Sequence, residues 1–205
     1  RDLIFTLPHG VVDRRRRATI KGADIPCTLT VEVTVGAHRA PRSRGGATRV
    51  LVADAETEFQ LVFFHARGEY LRRLLPEGAR RVVSGKLELF DGLAQMVHPD
   101  HVLPIEEAGE IPEFEPVYPL TQGVTQKTMF KAAQGALTRL PDLAEWIDPG
   151  QRGRAGWPGW AEAVRTAHAP RRPEDLAATA PARERLAYDE LMAHQMTLAL
   201  ARRRE

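Results

Sequence analysis

Glu58-Phe59-Gln60-Leu61-Val62-Phe63-Phe64 decides the fold, read with Gly85-Lys86 and Met96-Val97-His98-Pro99 further along. Phe59, Leu61 and Phe63 recur with period 2, which makes the stretch a strand with one apolar face. Phe64 falls on the other side with Gln60 and Val62, an aromatic ring that the apolar face does not require. Upstream, Cys27, Leu29, Val31, Val33 and Val35 alternate with Thr28, Thr30, Glu32 and Thr34, the strongest strand signal in the chain. Arg49 to Asp54 reads as the next strand, joined to Glu58 by a tight turn over 55–57. Tyr70, Leu71, Leu74 and Leu75 have the spacing of a short helix stopped by Pro76 and Gly78. Arg81 to Phe90 and Leu93 to His98 are two further strands around Asp91-Gly92, a dipeptide typical of hairpin turns.

Three strands, a helix and two strands is the element order of the OB-fold, a five-stranded Greek-key barrel that commonly binds oligonucleotides. The predicted class is α+β, an OB-fold Greek-key β-barrel followed by an α-helical region. Residues 1–25 read as a helix tail (Leu3 and Leu7, stopped by Pro8) and a connector, and 26–104 as the barrel domain. Residues 105–124 read as an acidic linker or covering strap, with Glu106, Glu107, Glu110, Glu113 and Glu115 among prolines. Residues 125–205 are helical, with helices over 125–140, 160–168 and 181–204. In the last of these, Ala187, Leu191 and Leu198 with Tyr188, Met192 and Met196 make a broad apolar stripe, the pattern of a core-facing helix. Trp157-Pro158-Gly159-Trp160 reads as an aromatic turn anchoring two helices.

With 205 residues and 43% hydrophobic content, the chain can bury two modest cores without disulfides. Its single cysteine, Cys27, allows neither an internal disulfide nor a cysteine zinc site and suits a reducing compartment, so a cytoplasmic location is expected. No apolar run approaches about 18 residues, and no membrane association is expected. The chain starts at Arg1 and ends in a charged helix, which reads as a piece of a longer protein.

Lys and Arg outnumber Asp and Glu by 16 to 12 over residues 1–104 and are outnumbered 13 to 15 afterwards. The densest cationic runs, Arg14 to Arg17 with Lys21 and the loop of Arg39, Arg42, Arg44 and Arg49, suit either a solvated surface or a polyanion. Gly85-Lys86 lacks the earlier glycine of a phosphate-binding loop and sits in a strand pattern, so nucleotide hydrolysis is not expected. His98, Asp100 and His101 sit too sparsely around Pro99 to predict a metal site. No serine or cysteine is paired by a motif with a histidine base. The chain is read as non-catalytic, with no metal and no cofactor of its own.

Beyond single elements, the chain resembles the amino-terminal part of the RecG family of bacterial ATP-dependent branched-DNA helicases. The resemblance rests on Arg1-Asp2-Leu3, Phe5, Leu7-Pro8 and Asp13-Arg14, then Phe63-Phe64-His65, Gly85-Lys86 and Met96-Val97-His98-Pro99. It continues through Val117-Tyr118-Pro119-Leu120-Thr121-Gln122-Gly123, Gln126 and Leu140-Pro141. It ends with Ala163-Val164-Arg165, His168, Pro170, Ala182-Arg183, Arg185-Leu186, Glu190-Leu191 and Gln195. What the resemblance implies is a wedge domain that splits strands at stalled replication forks and Holliday junctions in DNA recombination and repair. ATP and magnesium would act in motor lobes following Glu205, and a helical segment would precede Arg1. The family commonly has Asn where this chain has His65. A second wedge aromatic is sometimes found a few residues after the first, and here the nearest is Tyr70.

On this resemblance Phe64 is the first candidate to stack on an unpaired base, although the residues alone favour its being covered by the short helix. His65, Tyr70, Lys86, Met96, Arg42, Arg44 and Arg49 complete the expected DNA-binding set. Lys86 and the arginines would meet phosphate, and Met96 would pack beneath. The final helix is expected to act as a strut towards the motor, and the chain to be a monomer. Two other classes stay open. The barrel would serve as a protein-interaction module for the tail of a single-strand-binding protein, or His98, Asp100 and His101 would form a small metal-dependent centre.

Overall fold

The computed structural model describes residues 2–41, 43 and 45–203. The chain divides into two compact units, one spanning Asp13–Glu113 and one formed by the flanks, up to Val12 and from Phe114 onward.

The first unit is built on β3 (Cys27–Arg39), β4 (Thr48–Ala53), β5 (Glu58–Phe63), β6 (Arg80–Phe90) and β7 (Leu93–Val97). β3 pairs antiparallel with β4 and also with β6; β4 pairs with β5, β5 runs parallel to β7, and β7 pairs back with β6, so the pairings return to their start. Alternation explains why: Leu29, Val31, Val33 and Val35 of β3, Val50 and Val52 of β4, and Phe59, Leu61 and Phe63 of β5 all turn inward with Leu87 and Met96. Each such side chain, fully buried, stabilises the fold by about 1.5–3 kcal/mol. The short helix α1 (Gly68–Leu74) adds Leu71, with Leu75 just beyond it, to the same core.

A second layer covers part of the outside. β8 (His101–Pro104) pairs with β6, and a 3-10 helix over Ile105–Glu110 brings Ala108, with Ile111 after it, onto Val82. The chain at 105–111 is thus ordered packing. The two-residue strand β2 (Arg16–Arg17) runs parallel to β3. At the β4–β5 turn the Asp54 carboxylate accepts the backbone N–H groups of Ile20, Glu56 and Thr57. Burial works against its ionisation, yet these donors hold its carboxyl below the usual range.

The second unit contains a two-stranded sheet of β1 (Gly10–Asp13) and β9 (Phe114–Val117), followed by α2 (Gln126–Leu137), α3 (Pro149–Ala155), α4 (Trp160–Ala167) and α5 (Pro181–Arg202). Ala163, Val164 and Ala167 of α4 pack on Ala182 and Leu186 of α5, with Ile4, Leu7, Leu137, Leu140 and Trp160 around them. His168 is buried between Tyr118 and the backbone of Ile4. Because the Ile4 carbonyl only accepts, Nε2 of His168 donates to it at 2.9 Å, and Nδ1 accepts the Tyr118 hydroxyl at 2.9 Å.

Arg185 is fully buried and ion-paired with Glu145 at 2.9 Å and Asp189 at 2.6 Å, with its guanidinium 5.8 Å from the Trp146 ring centroid. Trp146 stacks on Tyr188 with planes 7° apart, and Trp157 packs against Tyr188 while donating to Glu184. The apolar stripe expected on the last helix is not its buried face: Ala187, Leu191, Met196 and Leu198 are exposed, and Tyr188 and Met192 are half-buried. The residues of this helix that are buried are Ala182, Arg185 and Leu186, in its first turns. Periodicity marks an apolar face but does not say which turns have a neighbour to bury it. Among the described residues, no helix is long and apolar enough to cross a membrane.

Candidate nucleic-acid interface

The candidate site lies where β5 and β7 end side by side. Val62 pairs with Val97, and Val62 also pairs with Arg49, which pairs with Arg39. Residues paired across a sheet share a face, so Arg39, Arg49, Val62 and Val97 form one row on the side away from the barrel core, in which Arg39 is exposed, Arg49 and Val97 are half-buried and Val62 is buried. Lys86 precedes Leu87, whose partner is Met96, and Val97 follows Met96. Since Leu87 and Met96 turn inward, Lys86 and Val97 turn outward, and Lys86 is exposed. An apolar pair is therefore flanked by arginines on one side and a lysine on the other.

Phe64 and His98 come immediately after these strands. Phe63 is the last residue of β5, paired with Thr48 and buried; Phe64 lies one position beyond, with 44% of its surface exposed. The backbone N–H of Phe64 donates to Nε2 of His98 at 3.2 Å, and the two rings lie 5.9 Å apart at 36°. His98 also meets Phe63 edge-on at 6.0 Å. His65 is exposed and has φ of +56°, a left-handed conformation that Asn, Asp and His tolerate best among residues with a side chain. The exchange of Asn for His at this position is thus compatible with the local backbone. Tyr70 is 60% exposed on α1.

Met96 does not belong to this surface. It is wholly buried, across from Leu61 and Leu87 in the barrel core, because the hairpin register turns it to the same side as those leucines. Arg42 and Arg44 lie outside the described residues, and Arg49 is half-buried. The Arg14 to Arg17 run is less cationic than its sequence suggests. Arg14 is only 7% exposed and donates to Ser84 at 2.9 Å and Asp100 at 3.0 Å, Arg15 pairs with Asp13, Arg16 with Glu32, and Lys21 with Glu56.

His98, Asp100 and His101 do not converge as ligands: among the described residues no group of three or more His, Cys, Asp or Glu side chains is placed to hold a metal. Asp100 is engaged by Arg14, and Nε2 of His98 by Phe64. Gly85-Lys86 sits mid-strand in β6 with Gly85 against Pro99, which leaves no cradle of backbone N–H groups for a nucleotide's phosphates. The residue that sequence reasoning undervalued is His98, whose partner lies 34 positions away; its signal was the parallel pairing of β5 with β7.

Comparison with known proteins bears on the same residues. The ATP-dependent DNA helicase RecG of Pasteurella multocida is 28% identical over 211 residues, covering 98% of this chain and 30% of that protein. The RecG of Acidithiobacillus ferridurans is 30% identical over 206 residues, covering 96% and 28%. This chain thus spans about 30% of the length of the curated relatives it matches. A solved structure of RecG bound to a three-way DNA junction has a TM-score of 0.71 and 23% identity over 98% of this chain and 28% of that one, a likeness of fold. A family model described as the RecG wedge domain matches residues 1–140, taking in the whole barrel with its exposed Phe64, and the chain belongs to that family.

Proposed function

We propose that this chain is the branched-DNA-binding wedge of a RecG-like ATP-dependent DNA helicase, and that its first unit is an OB-fold Greek-key barrel holding the ring that splits the strands. The observation that carries this reading is the exposed Phe64 ring one residue beyond β5, on a barrel that also carries the exposed Lys86 and, paired with Val62, the half-buried Arg49. Support comes from membership of the wedge family and from relatives named as ATP-dependent DNA helicases.

At a fork or Holliday junction, parting two paired strands exposes base faces to water, and a ring set against one restores part of the lost stacking. Such a contact is worth about 1–3 kcal/mol per base. Lys86, Arg49 and Arg39 would meet backbone phosphates, which position the junction without reading its sequence, so selectivity is for shape. His65, next in the chain, and the exposed Tyr70 of α1 would serve as secondary contacts. ATP and magnesium belong to the rest of the longer protein, acting in recombination and repair in the cytoplasm.

The test compares binding of the chain to a three-way fork and to duplex and single-stranded DNA of equal length, over a salt series. Phe64→Ala should weaken fork binding by roughly 5- to 150-fold, the stacking value converted, and leave the salt slope unchanged. A chain that binds all three DNAs equally, with or without Phe64, would rule the reading out.

A further inference from the structure

We infer that His98 is a positioning residue that fixes the Phe64 ring at the branch point, an inference that rests on the wedge reading and names the device that holds its aromatic. The ladder of β5 stops at Phe63, so the N–H of Phe64 has no strand partner. Nε2 of His98 takes that role at 3.2 Å. In this bond Nε2 is the acceptor and the Phe64 N–H the donor. The same ring lies tilted against Phe64 and edge-on against Phe63, so one side chain holds the backbone of Phe64 and one face of its ring.

His98 can act as a fixed point because its own backbone is pinned on both sides. Its N–H donates to the Val62 carbonyl at 2.9 Å, the residue two before Phe64. Its φ of +46° turns the chain sharply, and histidine is among the few residues with a side chain that tolerate that region. The next residue, Pro99, lies directly on Gly85, close enough that a Cβ there would stand 3.0 Å from the Pro99 Cα. Asp100 is then tied to the nearly buried Arg14, which in turn holds Ser84, itself the acceptor of the Thr30 hydroxyl. A continuous line of fixed groups thus runs from β3 and β6 through residues 98–100 to Phe64. A side chain whose backbone and ring are both held before binding loses little freedom on stacking, and that is how preorganisation raises affinity.

The experiment uses two substitutions that separate the ring from the acceptor. His98→Gln keeps an acceptor four bonds from Cα, where Nε2 stands, and loses the ring; His98→Phe keeps a ring and loses the acceptor. Fork-over-duplex preference and the fluorescence of 2-aminopurine placed at the branch are measured for each, for Phe64→Ala and for Phe64→Ala combined with His98→Phe. His98→Phe should lower the preference by about 3- to 10-fold, the range of one ordinary hydrogen bond, and alter the 2-aminopurine signal. His98→Gln should restore most of both, and His98→Phe should add nothing once Phe64 is alanine. The inference is overturned if His98→Phe keeps the parent's preference and signal while Phe64→Ala loses them, or if the two losses simply add. Should Phe64→Ala itself change nothing, the wedge reading fails first and this inference with it.

Discussion

Gly85→Ala places a methyl group against backbone and tests whether the segment carrying His98 is as closely seated as the geometry requires. Its Cβ would lie 3.0 Å from the Pro99 Cα, 3.5 Å from the Pro99 Cβ and 3.4 Å from the Asp100 nitrogen. Non-bonded carbons are at ease near about 3.5–4.0 Å, so β6 or residues 99–100 must give by a few tenths of an ångström. Neither neighbour is a side-chain tip that swings away. Overpacking of this kind costs about 1–3 kcal/mol, and the entropy an alanine removes from the unfolded chain returns about 0.4–1 kcal/mol. The net expectation is a loss of up to about 2.6 kcal/mol, or up to roughly 1.3 M in urea midpoint at a slope of about 2 kcal/mol/M. Trp146, Trp157 and Trp160 all lie in the helical unit, so tryptophan fluorescence reports there, and the barrel is followed instead by hydrogen exchange of amides in β3, β6 and β7. Fork preference should fall in parallel, because displacing Pro99 displaces His98. Unchanged barrel protection in Gly85→Ala would show that residues 98–100 are loosely seated and that the rigid line to Phe64 does not exist.

Two further predictions concern charge. Lys86→Gln should lower affinity for all DNA shapes alike and reduce the slope of log affinity against log salt by about one, with fork preference intact; a shape-dependent loss would mean that Lys86 does more than meet phosphate. Burial holds the basicity of His168 below its ordinary value of 6.5, partly opposed by the bond to Ile4. The folded unit therefore resists a proton that the unfolded chain accepts below about pH 6.5. Its contribution is whole above that pH and is lost as pH falls through the depressed folded value, so the fluorescence melting temperature should be lower at pH 5 than at pH 7.5 and should lose part of that dependence in His168→Gln.

How much of this was legible in the sequence depends on how local each cause is. The barrel strands were readable because period-2 alternation is written into each of them, and the turn at Asp91-Gly92 announced its hairpin. That turn even contained the correction for Met96. A two-residue loop fixes the pairings Phe90 with Leu93 and Leu87 with Met96, so an inward Leu87 forces Met96 inward. The burial of Arg14 was not readable, because nothing in four consecutive arginines says which one finds Ser84 and Asp100, 70 and 86 residues away. β2, β8 and β9 are too short to carry a period, and α3 lacks an apolar stripe, being Pro149-Gly150-Gln151-Arg152-Gly153-Arg154-Ala155. The apolar turns of α5 were readable as apolar, but burial also needs a neighbour.

Two consecutive phenylalanines with opposite surroundings follow from one structural event, the end of the β5 ladder between them. Phe63 keeps its place in the period and is drawn into the core with Phe59 and Leu61, which stabilises the strand end by about 1.5–3 kcal/mol. Phe64 inherits that rigidity without sharing the burial. Its Cα position is dictated by the buried ring before it, and its own ring turns to the other side because successive side chains of a strand alternate. Slipping the register of β5 by one residue would exchange the two surroundings, since parity assigns the faces. In the function proposed above, the core therefore holds the exposed aromatic steady at no cost to its accessibility, and a purely exposed phenylalanine on a mobile loop would have to spend part of its stacking energy on becoming ordered. Stability of the barrel and sharpness of the wedge are for this reason coupled through Phe63. Phe63→Leu, which keeps the inward position filled, should preserve fork preference far better than Phe63→Ala, although neither substitution touches the ring that meets the base.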